Sequence, residues 1–194
     1  MKSLFRLIKY VLDTKNMGLI MSPESSLKTA WKMVAYCDSD YAGDRDGRKS
    51  VSGFVIYIQG CLISWKSRKQ KSVTLSSSEA EYVAISEVCA ELIFLKQVVE
   101  FLGVKLSLPI IVRVDNVGAI YLANNAVSGP RMKHVDIRYH FVRDLIEEGI
   151  VEISFVRSEE NDSDVFTKNL GEELFKKHIN KYMTVNSVDG KGVT

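Results

Sequence analysis

At 194 residues with 46% hydrophobic content, the chain suits one globular domain with room for an appendage at either end, and a second full domain is not expected. Its formal net charge of +2 is nearly neutral, so bulk electrostatics do not announce a nucleic-acid binder and any such case rests on local basic patches. No apolar run approaches the ~18 residues that would span a bilayer.

The first segment, MKSLFRLIKYVLDTKN, is basic and amphipathic, with Leu4, Ile8 and Val11 at helical spacing. A transit peptide shares that pattern, but Asp13 is acidic and no small-residue cleavage site follows, so a docking helix is the expectation. Residues 21–30 are polar and turn-rich and read as a linker, which sets the boundary of the main domain near Trp31. Lys32 to Asp38 reads as a strand, and the glycine-punctuated stretch from Ala42 to Ser50 as a charged turn. VSGFVIYIQG and CLISWKS then supply two more strands joined tightly at Gly60, making a three-stranded antiparallel meander.

From Leu75 the period changes. Ile85, Val88, Leu92, Leu95, Val99 and Leu102 recur at steps of three and four, which predicts a long amphipathic helix. Ser76 and Glu79 form a capping box at its start, and Gly103 stops it. Pro109 introduces IIVRVD, an apolar run suited to a strand buried on both faces, and NVGAIYLANN begins a helix at once. Arg131 to Glu148 reads as another helix, Val151 to Val156 as a last strand, and a final helix begins around Asn161. The polar end, SVDGKGVT, is expected to be disordered. Cys37, Cys61 and Cys89 lie far apart within predicted strands or helix, as reduced core thiols of an intracellular protein would.

Four carboxylates occur where a strand ends or a helix begins: Asp38, Glu81, Asp115 and Asp164. Each lies beside apolar residues, and uncompensated buried charge is costly, so converging carboxylates require cations among them. Hard oxygen ligands favour magnesium or manganese. Helical phase separates two neighbours, because Glu81 lies four residues before Ile85 on the buried stripe whereas Glu79 points almost the opposite way and serves the cap. Asp115 ends a buried strand, where open sheets place their ligands, and is also suited to capping the helix that follows. Spacing does not choose between Asp38 and Asp40, nor between Asp164 and Asp162.

These segments together resemble the ribonuclease H domain that ends the polymerase polyprotein of copia-type retrotransposons. The resemblance covers roughly residues 31–170 and rests on VAYCDSDYAGDRDGRKSVSG, ISWKSRKQKSVTLSSSEAEYVAIS, VDNVGAIYLANN, KHVDIRYHFVRD and NDSDVFTKNL, five blocks in one order. LFRLIKYVLDTKNMGLIMS is similar to the last stretch of the reverse transcriptase that precedes such a domain. The resemblance implies an α/β fold of the ribonuclease H type, a five-stranded mixed sheet (three antiparallel strands, then two further strands) flanked by helices. The chain would divide into a reverse transcriptase remnant and linker at 1–30, the ribonuclease H-like domain at 31–170, and a C-terminal helix and polar tail at 171–194.

The same resemblance chooses Asp38, at the strand's end, over Asp40, and Asp164, one turn into the final helix, over Asp162. It implies hydrolysis of the RNA strand of RNA/DNA hybrids with two magnesium ions, manganese being the alternative. Asp38 would bridge both ions, Glu81 and Asp115 would complete one side, and Asp164 the other. Arg45, Arg48 and Lys49, then Lys66, Arg68 and Lys69, form basic clusters suited to nucleic-acid backbones, and Arg131 and Lys133 join them from the later helix. Trp65 reads as sheet packing. His134, Asp136 and His140 fall short of a zinc ligand set, which leaves their role open. The implied partners are the hybrid substrate and the reverse transcriptase portion of the same polyprotein, with no membrane. The implied setting is intracellular, cytoplasmic particle and nucleus both remaining open. The histidine that cellular relatives often carry in the loop before the last helix has no counterpart in VRSEENDSD, a feature this chain shares with copia-type domains generally. A domain that has lost its chemistry and only binds nucleic acid or protein is the alternative function.

Overall fold

The computed structural model describes residues 2–23, 30–44, 46–125 and 136–185. Its centre is a five-stranded sheet built from β2 (Met33–Asp40), β3 (Val51–Ile58), β4 (Cys61–Lys69), β5 (Ile110–Val114) and β6 (Val151–Phe155). The spatial order is β4-β3-β2-β5-β6. β2, β3 and β4 are antiparallel, whereas β5 joins β2 and β6 joins β5 in parallel. This is the expected α/β arrangement, three antiparallel strands followed by two further ones. The parallel register sets the carboxyl ends of β2, β5 and β6 side by side, so Asp38, Asp115 and the segment after β6 emerge at one end of the sheet.

The long helix α2 (Ser77–Phe101) packs against one face. Ser76 Oγ accepts from the amide of Glu79, while Glu79 Oε2 accepts from the amide of Leu75, one residue earlier than a capping box requires. The first half of α2 is buried almost all round, from Ala80 to Ile85, because α3 (Val117–Asn124) and α4 (Asp136–Glu147) enclose the side away from the sheet. Its second half is one-sided: Leu92 and Val99 are buried, Leu95 is half-buried, and Leu102 stands in solvent. Each fully buried residue of the Leu92 or Ile85 kind contributes about 2 kcal/mol from apolar area removed from water. Gly103 and Gly149 follow their helices at positive φ, as helix stops do.

The opposite face carries a smaller cluster of Val55, Leu62, Ile179 and Tyr182, covered by α5 (Glu172–Ile179). Three features differ from expectation. The final helix does not begin at Asn161; two 3-10 turns, Ser158–Glu160 and Asp162–Phe166, come first, and α5 starts only at Glu172. Asn161 caps the second turn through its side chain, and Asp162, Ser163 and Asp164 are buried polar residues whose partners lie on other elements. Next, β1 (Met17–Leu19) pairs antiparallel with β7 (Met183–Val185), joining the two ends of the described chain in a pattern that three-residue strands do not announce. Finally, helix α1 (Lys2–Thr14) forms, but Leu4, Ile8 and Val11 are exposed; it touches the rest through Arg6 on Asn169 and the Tyr10 ring against Phe175. Cys37, Cys61 and Cys89 are buried and free. Among the described residues no helix is long and apolar enough to cross a membrane.

Candidate functional site

At the carboxyl end of β2, elements from both sheet faces converge on Asp38, which is 1% exposed. From one face, α2 presents Glu81, 5% exposed, whose Oε1 accepts from the backbone amide of Ser39 at 3.1 Å. From the next strand comes Asp115, half-buried, whose Oδ2 accepts from the Ser158 hydroxyl at 2.6 Å. The helix cap expected of Asp115 is made by Asn116 instead, through its side chain to the amide of Ala119, which leaves the Asp115 carboxylate to the cluster. Ligand oxygens of Asp38, Glu81 and Asp115 lie within 4.8 Å of one another.

The fourth expected acid, Asp164, reaches this group from the other face on the second 3-10 turn rather than on an α-helix, and it is not within the close triad. Lys168 links them: its Nζ lies 2.8 Å from Asp38 Oδ1 and 3.1 Å from Asp164 Oδ1. The Thr167 hydroxyl donates to Asp38 Oδ2. Asn161 ties the turn to β2 by donating to the Cys37 carbonyl at 3.0 Å, directly before Asp38. Gly53, opposite Asp38 across the β2–β3 pair, makes this approach feasible; a Cβ there would lie 2.6 Å from Thr167 Cγ2 and 3.0 Å from Phe166 Cβ. Gly118 does the same for α2 and α3, since a Cβ there would lie 2.4 Å from Ser78 Oγ.

The rival acids point elsewhere. Asp40 folds against Gly43 in the turn after β2. Asp162 lies toward the opposite face, where Tyr57, His178 and Lys181 contact its carboxylate.

Burial, then the Asp38 and Asp115 charges, push the Glu81 carboxyl up to about 9. Burial and Asp38 likewise raise Asp164 to about 6, against the opposing pull of Lys168. Burial works against the Lys168 ammonium, but Asp38 and Asp164 outweigh it and hold that group charged, well above the usual lysine range. Glu81 Oε2 is buried without a hydrogen-bond partner among the described residues. A carboxylate oxygen left this way lacks a donor or a cation, and the surrounding donor set is all oxygen, so the residues fit a hard divalent ion.

The basic residues of β4 and of the turn leading into β3 that the structure describes share the same end of the sheet, because β3 begins and β4 ends there. Arg48 is exposed and Lys49 half-buried; Arg68 is exposed. Lys69 pairs with Asp44 at 2.7 Å, and Lys66 Nζ stands 5.7 Å from the centre of the Phe54 ring. Trp65, expected in sheet packing, is 49% exposed on the edge strand. Arg45, Arg131 and Lys133 lie outside the described residues, as do His134 and the Asp136 side chain. Sequence reasoning missed Lys168, Thr167, Ser158 and Asn161. Only Lys168 carried a signal, its spacing of four from Asp164.

No family model matches the chain. It is similar to the retrovirus-related Pol polyprotein from transposon RE1 of Arabidopsis thaliana, with 35% identity over 181 residues, 93% of this chain and 12% of that protein. It is 38% identical over 144 residues to the corresponding polyprotein from transposon TNT 1-94 of Nicotiana tabacum, 74% of this chain and 11% of that protein. The chain therefore spans about 12% of the length of the curated relatives it matches. Among solved structures it is similar to LC11-RNase H1 in complex with an RNA/DNA hybrid, with TM-score 0.47 and 16% identity over 70% of this chain and 94% of that one.

Proposed function

We propose that this chain, which is homologous to one segment of the Pol polyproteins of copia-type retrotransposons, is a metal-dependent ribonuclease that hydrolyses the RNA strand of RNA/DNA hybrids. The observation that carries the reading is the convergence of Asp38, Glu81 and Asp115 at one strand end, with a buried Glu81 oxygen left without a partner among the described residues. Asp38, Glu81, Asp115 and Asp164 are the residues that would hold two magnesium ions, or manganese in their place. When bound, such ions lower the pKa of the attacking water and stabilise the leaving oxygen of the phosphodiester.

The chain's own residues arrange that chemistry. The amide of Ser39 orients Glu81, the Ser158 hydroxyl orients Asp115, and Asn161 fixes the turn that carries Asp164 beside Asp38. Arg48, Lys49, Lys66, Arg68 and Lys69 are the contacts proposed for the nucleic-acid backbones, together with Arg45, Arg131 and Lys133. The position of the basic strand ends beside the acidic cluster supports this assignment, because a duplex resting on them would bring a phosphate to the carboxylates. Residues 1–30 are assigned to the preceding reverse transcriptase segment, which would make that segment a partner in the polyprotein. Buried free cysteines support an intracellular, reducing setting.

Cleavage of a labelled RNA/DNA hybrid, with duplex DNA and duplex RNA as controls and EDTA as the metal-free arm, tests the proposal. Asp115→Asn is expected to lower magnesium-dependent cleavage by at least about a hundredfold while its circular dichroism stays that of the parent. Retained cleavage in this variant rejects the assignment. Absence of cleavage of any substrate by the parent chain favours a module that binds without cutting.

A further inference from the structure

The four carboxylates do not meet an open space. Between Asp38 and Asp164 the chain has placed a cation of its own, the Lys168 ammonium, in contact with one oxygen of each. We propose that Lys168 is an internal counter-cation that holds the position between Asp38 and Asp164 against a divalent ion. The protein without substrate then takes one ion, at Asp38, Glu81 and Asp115, and admits a second only when the lysine side chain leaves. The inference rests on the reading of the acidic cluster as a metal centre.

Distance and charge carry the argument. Lys168 Nζ sits 2.8 and 3.1 Å from its two carboxylate oxygens, and a magnesium ion bound by the same oxygens needs contacts of about 2.0–2.1 Å. The two cations cannot share that position, since both the space and the mutual repulsion forbid it. The close triad is different. Its ligand atoms lie within 4.8 Å of one another, and Glu81 Oε2 has no partner among the described residues. On the triad side Glu81 Oε2 is therefore open to an ion and no cation stands among the oxygens in the described residues, whereas the position between Asp38 and Asp164 is already filled.

The backbone around Lys168 is anchored by contacts of its own, independent of the ion pairs that hold the ammonium. The amide of Lys168 donates to the Asp164 carbonyl at 2.9 Å, Thr167 donates to Asp38, and the Gly53 surface receives the turn. Beyond that anchor the side chain is 36% exposed on a flexible four-carbon stem. The ammonium can thus swing to solvent, or to a substrate phosphate, without disturbing Asp164. Lysine suits this task better than arginine would, because a compact point charge needs no bidentate geometry to bind and none to let go.

The test counts metal ions rather than turnover. Manganese binding to the full chain is followed by the electron paramagnetic resonance signal of free Mn2+ and by calorimetry, without nucleic acid. The parent is expected to bind one equivalent. Lys168→Met, which keeps the stem and removes the charge, is expected to bind two, the second at least about tenfold more tightly than in the parent. Lys168→Arg keeps a cation and is expected to stay at one. Equal stoichiometry and affinity in parent and Lys168→Met overturn the inference. Should Lys168→Met be unfolded without metal, refolding with two Mn2+ bound supports it, and refolding with one, or failure to refold, overturns it. One ion in both proteins, lost in Asp115→Asn, would leave the proposed nuclease standing and remove only the role of Lys168. A parent that binds no Mn2+ overturns both.

Discussion

Asp162 and Asp164 stand two residues apart on one 3-10 turn, both buried, and their surroundings differ in kind. Around Asp162 the structure partners both carboxylate oxygens: the Tyr57 hydroxyl donates at 3.1 Å, His178 Nδ1 lies at 2.8 Å, and Lys181 Nζ lies at 2.6 Å. Burial and the Asp162 charge raise the Tyr57 phenol far above its usual range, so it stays a donor. Asp164 faces the other way, toward Asp38, Glu81 and Asp115, where among the described residues the Lys168 ammonium pairs with two of the four acids, Asp38 and Asp164. A buried carboxylate whose own two oxygens are both partnered rigidifies a fold, even with His178 Nε2 beside it left without a hydrogen-bond partner among the described residues, whereas a cluster left short of positive charge stores a cost that a bound cation relieves. The contrast supports the proposed reading of the second region as the site and the first as scaffold, although the two residues are nearly adjacent in sequence.

The contrast can be broken from either side. The largest effect is expected for Asp162→Ala, which strips the acceptor from buried His178 and Tyr57; unfolding in urea should show a loss of about 3 kcal/mol, with Mn2+ affinity unchanged. Lost metal binding at full stability would invert the comparison. Glu81→Gln should act in the opposite direction. In the parent without metal the folded carboxyl is pushed up to about 9 against 4.5 for the ordinary group, so below pH 4.5 it is protonated in both states. As pH rises the unfolded chain ionises first, and stability drains away across pH 4.5 to about 9. The glutamine variant lacks that slope and is expected to be more stable by about 2 kcal/mol at pH 8 in EDTA. Thermal melts from pH 5 to 9 that run parallel in the two proteins would count against a charge-starved Glu81. The smallest effect is expected for Ser158→Ala, which removes the hydroxyl at Asp115 from an exposed position. Stability should stay within about 0.5 kcal/mol while Mn2+ binds about tenfold more weakly, and an unchanged titration would show that Asp115 needs no orienting partner.

Much of the fold was legible because its signals are local. The period change at Leu75, the Ser76 cap, and the glycines at 103 and 149 each act within a few residues, and helix α2 follows them. The same locality put Glu81 on the inward stripe and Glu79 at the cap, through nothing more than the angle between successive residues. Where the pattern was short, it misled. Residues from Asn161 look helical, but their polar side chains find better partners on β2, β3 and α5 than a continuous helix would allow, and two tight turns result. The apolar stripe of α1 was readable as a stripe, yet no pattern told that it would remain exposed.

The sequence by itself determined the five central strands and helix α2, the strand ends on which acids fall, and the inward phase of Glu81, because backbone geometry fixes side-chain direction within one element. Only the tertiary structure brought Phe166 and Thr167 over Gly53 and Lys168 to Asp38, turned Asp162 and Asp164 to opposite faces, and set Asp40 against its own turn. Such choices depend on contacts between residues far apart along the chain. A carboxylate's partners are decided by which elements pack beside it, and periodicity along one element carries no record of that.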